Sequence, residues 1–139
     1  MEANKIITYT NPEFNQKEEV FSIKARNQEV QVGYISFFKP QNWGAFERLW
    51  VIKNLSVKED YRKQRIGTSL LKNCFDHIRE QKGIFVTWSL LSSESISPVL
   101  IEIISLKMLK NIKFDSKYKI EPLAYGNANP TLKKITVQL

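Results

Sequence analysis

Residues 55 to 71 read Leu-Ser-Val-Lys-Glu-Asp-Tyr-Arg-Lys-Gln-Arg-Ile-Gly-Thr-Ser-Leu-Leu, an apolar strand that passes through a short basic turn straight into an amphipathic helix. The N-terminus of a helix carries unsatisfied N–H groups and about half a positive charge, so a turn that aims them outward holds a phosphate without a dedicated side chain. Arg62, Lys63 and Arg65 add fixed charge around that point. The spacing therefore predicts an anion site built mainly from backbone.

Such a turn works only if strand and helix hold it in place, and the flanking residues supply both. Phe46 to Val57 reads as a long strand, with Leu49, Val51, Leu55 and Val57 on one parity and Arg48, Trp50, Ile52 and Asn54 on the other. After the turn, Ile66, Leu70, Leu71, Cys74, Phe75 and Ile78 form a helical apolar stripe, and Gly83 follows where a glycine tolerant of positive φ commonly closes a helix. Ile84 to Leu90 then reads as a central strand, and the β-α-β order implies that it pairs parallel with the strand before the turn.

The remaining elements flank this unit. Lys5 to Thr10 predicts a short strand, Asn11 to Asn15 a turn-rich stretch, and Val20 to Ala25 with Val30 to Phe38 an antiparallel hairpin. Ser92, Ser93 and Ser95 offer N-caps for a second helix that tolerates Pro98 and ends near Asn111. Lys119 to Glu121 and Lys134 to Leu139 read as two closing strands. The expected fold is α/β: a single-layer mixed, mostly antiparallel sheet of about six to seven strands, with a central parallel β-α-β unit and helices packed on it.

With 139 residues and no linker or repeat, one domain covering 1–139 is expected. No apolar run approaches the roughly 20 residues that cross a bilayer, and the first residues lack a signal-like stretch, so the expected location is cytoplasmic and no membrane is expected as a partner. The single cysteine, Cys74, excludes an intramolecular disulfide and reads as a packing residue; the single histidine, His77, reads as a partly exposed helix residue, and no metal site is expected. The net charge of +7 falls at the turn and along Lys107, Lys110, Lys113, Lys117, Lys119, Lys133 and Lys134. The second group reads either as a solvated face or as a surface for an acidic macromolecule. No stacking motif or reading helix accompanies it, which disfavours nucleic acid.

Arg62-Lys63-Gln64-Arg65-Ile66-Gly67, preceded by Val57 and Tyr61 and followed by Leu70-Leu71, resembles the acyl-CoA binding turn of the GNAT superfamily of N-acyltransferases. That pattern is Arg or Gln, two variable residues, Gly, one variable residue, then Gly or Ala, and Arg65 stands in place of its first glycine. The order of elements is also similar to that fold over most of the chain. The resemblance implies acetyl-CoA as cosubstrate, with the pantetheine arm between two splayed strands and hydrogen-bonded to backbone at Leu55 and Val57. It places the pyrophosphate on N–H groups of Gln64, Arg65, Ile66, Gly67 and Thr68, with Arg62 and Lys63 nearby.

The family's chemistry is direct attack of an amine on the thioester, aided by a carboxylate or water relay and often by a tyrosine that protonates the leaving thiolate. Here Val51 corresponds to the usual glutamate, Leu109 to the tyrosine and Lys113 to a glycine after the second helix. Glu47 is the substitute base, with Tyr118 and Tyr125 as possible acids. Thr10 to Glu19 is too short for the two helices that usually wall the acceptor site, so the acceptor side is expected to be open. The resulting expectation is an acetyl-CoA-dependent N-acetyltransferase acting on a small-molecule or protein amine acceptor, with a homodimer compatible. The alternative is a catalytically inactive GNAT-like CoA-binding or interaction module.

Overall fold

Nine-residue runs such as Val30–Phe38 and Leu49–Val57 are rich in β-branched and aromatic residues, and they form the centre of one sheet. The computed structural model describes residues 6–40, 48–62, 64–90, 98–122 and 133–139. Its elements are β1 (Ile7–Tyr9), β2 (Glu13–Asn15), β3 (Val20–Asn27), β4 (Val30–Phe38), β5 (Leu49–Val57), a 3-10 turn (Glu59–Tyr61), α1 (Ile66–Glu80), β6 (Phe85–Ser89), α2 (Pro98–Asn111), β7 (Tyr118–Pro122) and β8 (Lys133–Gln138). The sheet order is β1-β3-β4-β5-β6-β8-β7, with β2 also on β3, and all pairs are antiparallel except β5 with β6.

The mixed sheet and its central β-α-β unit are as expected. One strand is added: Glu13–Asn15, expected as part of a turn, pairs with Val20–Ser22. It continues the edge begun by β1, and the backbone N–H of Thr10 bonds Lys24 at the interruption. Thr10 to Glu19 therefore contributes a strand to the sheet and no helix.

Helix α1 packs on β3, β4 and β5 and touches α2. Its stripe, Ile66, Leu70, Leu71, Cys74, Phe75 and Ile78, is buried against Ile23, Ile35, Phe37 and Trp50. Burial pushes the Cys74 thiol well above its ordinary value, consistent with packing rather than reactivity. His77 lies among the rings of Phe21, Phe37 and Trp50, and its Nε2 is buried without a hydrogen-bond partner.

Desolvation lowers the His77 pKa, opposed by the Glu80 charge. The unfolded chain then binds this proton at a higher pH than the folded one. Stability should fall as pH drops below the ordinary histidine value and through the lowered one, and should level off below both. Urea unfolding at pH 7.5 and pH 5.5 checks this: His77→Gln should remove that part of the acid loss, and an unchanged slope would show that His77 does not contribute.

Candidate functional site

The strand before the turn changes phase within its length. Ser36 of β4 faces Asn54 and Phe37 faces Ile52, so Lys53 has no partner and is the extra residue of a β-bulge. Before the bulge, Trp50 and Ile52 are buried; after it, Leu55 and Val57 pack on the same core. The simple alternation expected for this strand, which put these pairs on opposite faces, is corrected by that one residue.

The bulge also redirects the backbone. The Arg48 carbonyl accepts N–H bonds from Ile84 and Phe85, so even residues at the start of β5 point their polar groups towards β6. The Lys58 N–H bonds the Val32 carbonyl, which turns residues 54, 56 and 58 towards β4 and leaves Leu55 and Val57 facing the other edge. On that edge, parallel pairing stops at Val51 with Thr87, whereas β5 continues to Val57 and β6 to Ser89. The two strands fork there, with Leu55 and Val57 aiming backbone donors and acceptors along one side.

The turn then leads into α1. Tyr61 is tied across the sheet by Asn27 Nδ2, which donates to its hydroxyl at 2.9 Å. Arg62 is extended, and its Nε donates to the Val57 carbonyl at 3.1 Å, so its other guanidinium nitrogens lie beside the end of the fork. Gln64 is exposed and its Nε2 donates to the Asp60 carbonyl at 3.4 Å. Lys63, Glu47 and Tyr125 lie outside the described residues.

Arg65 is the N-cap of α1 in the left-handed region, φ 62° and ψ 18°. The Ser69 N–H makes the first bond to its carbonyl, no side chain caps the end, and the first turn holds no acid. The N–H groups of Arg65, Ile66, Gly67 and Thr68 thus precede the helical ladder. Ile66 anchors the turn in the core, and a Cβ at Gly67 would lie 3.6 Å from Met108 Sδ and 3.8 Å from Val57 Cγ2, both ordinary contacts. The helix end and the strand end are therefore neighbours.

The glycine expected at position 65 is absent, yet the conformation it would serve is kept. A left-handed non-glycine costs roughly 1–2 kcal/mol. Arg65→Gly should gain up to about 1 kcal/mol and Arg65→Val should lose about 1–2 kcal/mol, the branched Cβ being least tolerant of positive φ. Urea midpoints in the order Gly, Arg, Val check this, and equal midpoints for Arg and Val would rule out the left-handed turn.

At the end of α2 the same substitution recurs. Lys113, where the resemblance has glycine, sits at φ 67°, and the Phe114 N–H bonds the Leu109 carbonyl at 2.8 Å while Lys113 bonds that of Lys110. This is a Schellman end, sealed by the buried pair Leu109 and Phe114. Leu109 has no exposed surface and no proton to give. Tyr118 is half-buried against the core, while Val51 occupies the last parallel rung opposite Thr87. Trp88, just beyond that rung, is buried and donates from Nε1 to Ser105 Oγ at 3.3 Å.

Of the residues singled out from the sequence, the structure gathers Leu55, Val57, Arg62, Gln64, Arg65, Ile66, Gly67 and Thr68 at the strand end and helix start. The bulge at Lys53 and the Asn27 tether were missed. The first had a signal in the sequence, since two buried-type pairs of opposite parity flank Lys53-Asn54. The second is a contact over 34 residues that no local pattern carries.

The family model for Acetyltransferase (GNAT) matches residues 3–94. No curated protein matches the sequence significantly. A GNAT family acetyltransferase from Elizabethkingia anophelis with acetyl-CoA bound is similar in structure at TM-score 0.64 and 14% identity, over 96% of this chain and 98% of that one. IAA acetyltransferase from Bacillus cereus aligns at TM-score 0.64 and 9% identity, over 96% and 100%. A Bacillus subtilis acetyltransferase in complex with CoA aligns at 0.60 and 13%, over 88% and 78%. At such identities the likeness is one of fold.

Proposed function

The chain belongs to the acetyltransferase (GNAT) family, and from that premise we propose that it transfers an acetyl group from acetyl-CoA to an amine of its acceptor. The observation that carries this reading is the meeting of two backbone features at one place. The polar groups of Leu55 and Val57 face the open side of the β5–β6 fork, and the uncapped start of α1 lies against Val57. Structural neighbours carry acetyl-CoA or CoA.

In this reading Leu55 and Val57 hydrogen-bond the pantetheine amides, and the N–H groups of Gln64 to Thr68 hold the pyrophosphate. Arg62 and Lys63 add charge at its rim. The fork aligns the thioester carbonyl with the incoming amine, so positioning supplies most of the acceleration. Glu47 is the candidate to take the amine proton, and water protonates the thiolate, since Leu109 offers no donor.

The test is calorimetric titration of the full chain with acetyl-CoA and CoA, followed by detection of thiol release with a panel of amines. Micromolar binding with turnover is the expected result. No binding by the folded protein would overturn the reading, and binding without turnover of any amine would leave a CoA-binding module.

A further inference from the structure

The four strands around the fork, β3 to β6, contain three charged residues, Lys24, Arg26 and Lys53, and all are basic. Their placement is not uniform. Lys24 lies on the rung Lys24, Tyr34, Ser56, and the next rung of the same parity, beyond Ile23, Ile35, Leu55, is Ser22, Ser36, Asn54. Lys53, the bulge residue, is exposed and stands two residues past the last parallel pair, at the branch point of the fork. Among the described residues, the polar side chains beside it on β4 and β5 are neutral: Asn54 and Ser56 are exposed, and the Ser36 hydroxyl is buried with no partner. Thr10 to Glu19, which runs along the edge of β3, adds a strand to the sheet and no helix.

An acceptor amine reaches this surface as an ammonium ion. Beside a fixed lysine charge the ammonium form is disfavoured and the nucleophilic free amine favoured, while a carboxylate elsewhere on the acceptor is attracted. A polycation meets the same charge as repulsion, which is how a site discriminates by what it rejects. Resting on the reading above, we propose that the acceptor is an amine carrying a neighbouring carboxylate, an acidic amino acid or an acidic peptide, and that Lys53 selects it. In the transfer the nitrogen bonds the acetyl carbon and the carbon–sulfur bond breaks. The thiolate takes one proton, and the second proton of the original ammonium goes to solvent.

The experiment measures thiol release from acetyl-CoA by the full chain. The acceptors are glutamate, spermidine and three short peptides, in which one lysine is flanked by glutamates, glutamines or arginines. The glutamate-flanked lysine should exceed the arginine-flanked one in kcat/KM by about tenfold, the size expected of two exposed charge pairs acting together. The gap should shrink as salt shortens the Debye length. Lys53→Glu should close or invert it while acetyl-CoA affinity stays within about twofold, because Lys53 lies outside the phosphate turn.

Better turnover of glutamate than of the acidic peptide assigns a small-molecule acceptor, and the reverse assigns a protein. Equal or faster turnover of spermidine or the arginine-flanked peptide overturns the proposal, as does an unchanged preference in Lys53→Glu. If no amine turns over, calorimetry of the same peptides against the CoA complex decides it: preferential binding of the acidic peptide supports the selection, and equal or absent binding overturns it. Failure to bind acetyl-CoA at all would instead strike the function proposed above.

Discussion

Gly67→Asp is expected to lose at least about a hundredfold in affinity for acetyl-CoA while unfolding no earlier than the parent chain, because the cost of placing like charges together across a site is several kcal/mol. The two effects separate for a structural reason. Gly67 has helical backbone with no positive φ, and its Cβ would meet Met108 and Val57 only at 3.6 and 3.8 Å. The protein itself therefore leaves room for a side chain. Glycine in a helix costs roughly 0.5–1 kcal/mol relative to alanine, and an acid in the first turn gains from the helix dipole, so the variant should hold or raise its stability.

The carboxylate would nonetheless sit among the N–H groups of residues 65–68, where the proposed pyrophosphate belongs. Gly67→Ala separates size from charge, since the family pattern accepts either glycine or alanine there, and it should bind nearly as well as the parent. Calorimetry beside thermal unfolding reads both quantities. Retained affinity in Gly67→Asp would remove the turn from the site, and a lower melting temperature would mean that the glycine serves packing instead.

Much of the scaffold was legible because its signals are periodic. The hairpin of β3 and β4, the stripe of α1 and the parallel β5–β6 pair follow from alternation, 3.6-residue spacing and β-α-β order. Elements of three residues carry no period, so Glu13–Asn15, preceded by Asn11-Pro12, reads as a turn although it pairs with β3. A bulge is harder still, because alternation holds only while each residue has one partner; Lys53 breaks that rule and carries Leu55 and Val57 to the face of Trp50 and Ile52.

Glycine proved a misleading guide to backbone conformation. Among the described residues, Glu19, Gln28, Arg65, Lys82 and Lys113 have positive φ, while Gly33, Gly67 and Gly83 do not. Long polar side chains point into water at these turns, so they occupy left-handed positions at a modest energetic cost. Gly33 and Gly83 instead mark places where two parts of the chain come close. This is why departures from the family pattern at residues 65 and 113 leave the turns intact: what each turn requires is the dihedral angle.

Gly83→Ala tests that division most severely, with an expected loss of about 3 kcal/mol, at the upper end of overpacking costs. The sequence suggests that Gly83 closes α1 by adopting positive φ, but Lys82 holds that conformation at 67°, with its N–H on the Arg79 carbonyl and that of Gly83 on the Ile78 carbonyl. A Cβ on Gly83 would fall 2.3 Å from Ile78 Cγ2 and 2.7 Å from Trp50 Cδ1. Neither neighbour can swing away: Ile78 is fully buried, and the Trp50 ring is held by Phe21, Phe37 and His77. The backbone must move, and with it Ile84 and Phe85, whose N–H groups bond Arg48 at the start of the parallel pair. A loss of that size should lower the melting temperature by roughly 10 °C in a domain of this length. Lys82→Gly should move the other way by up to about 1 kcal/mol, relieving the left-handed residue. A neutral Gly83→Ala together with a destabilised Lys82→Gly would reverse the assignment and return the conformational role to Gly83.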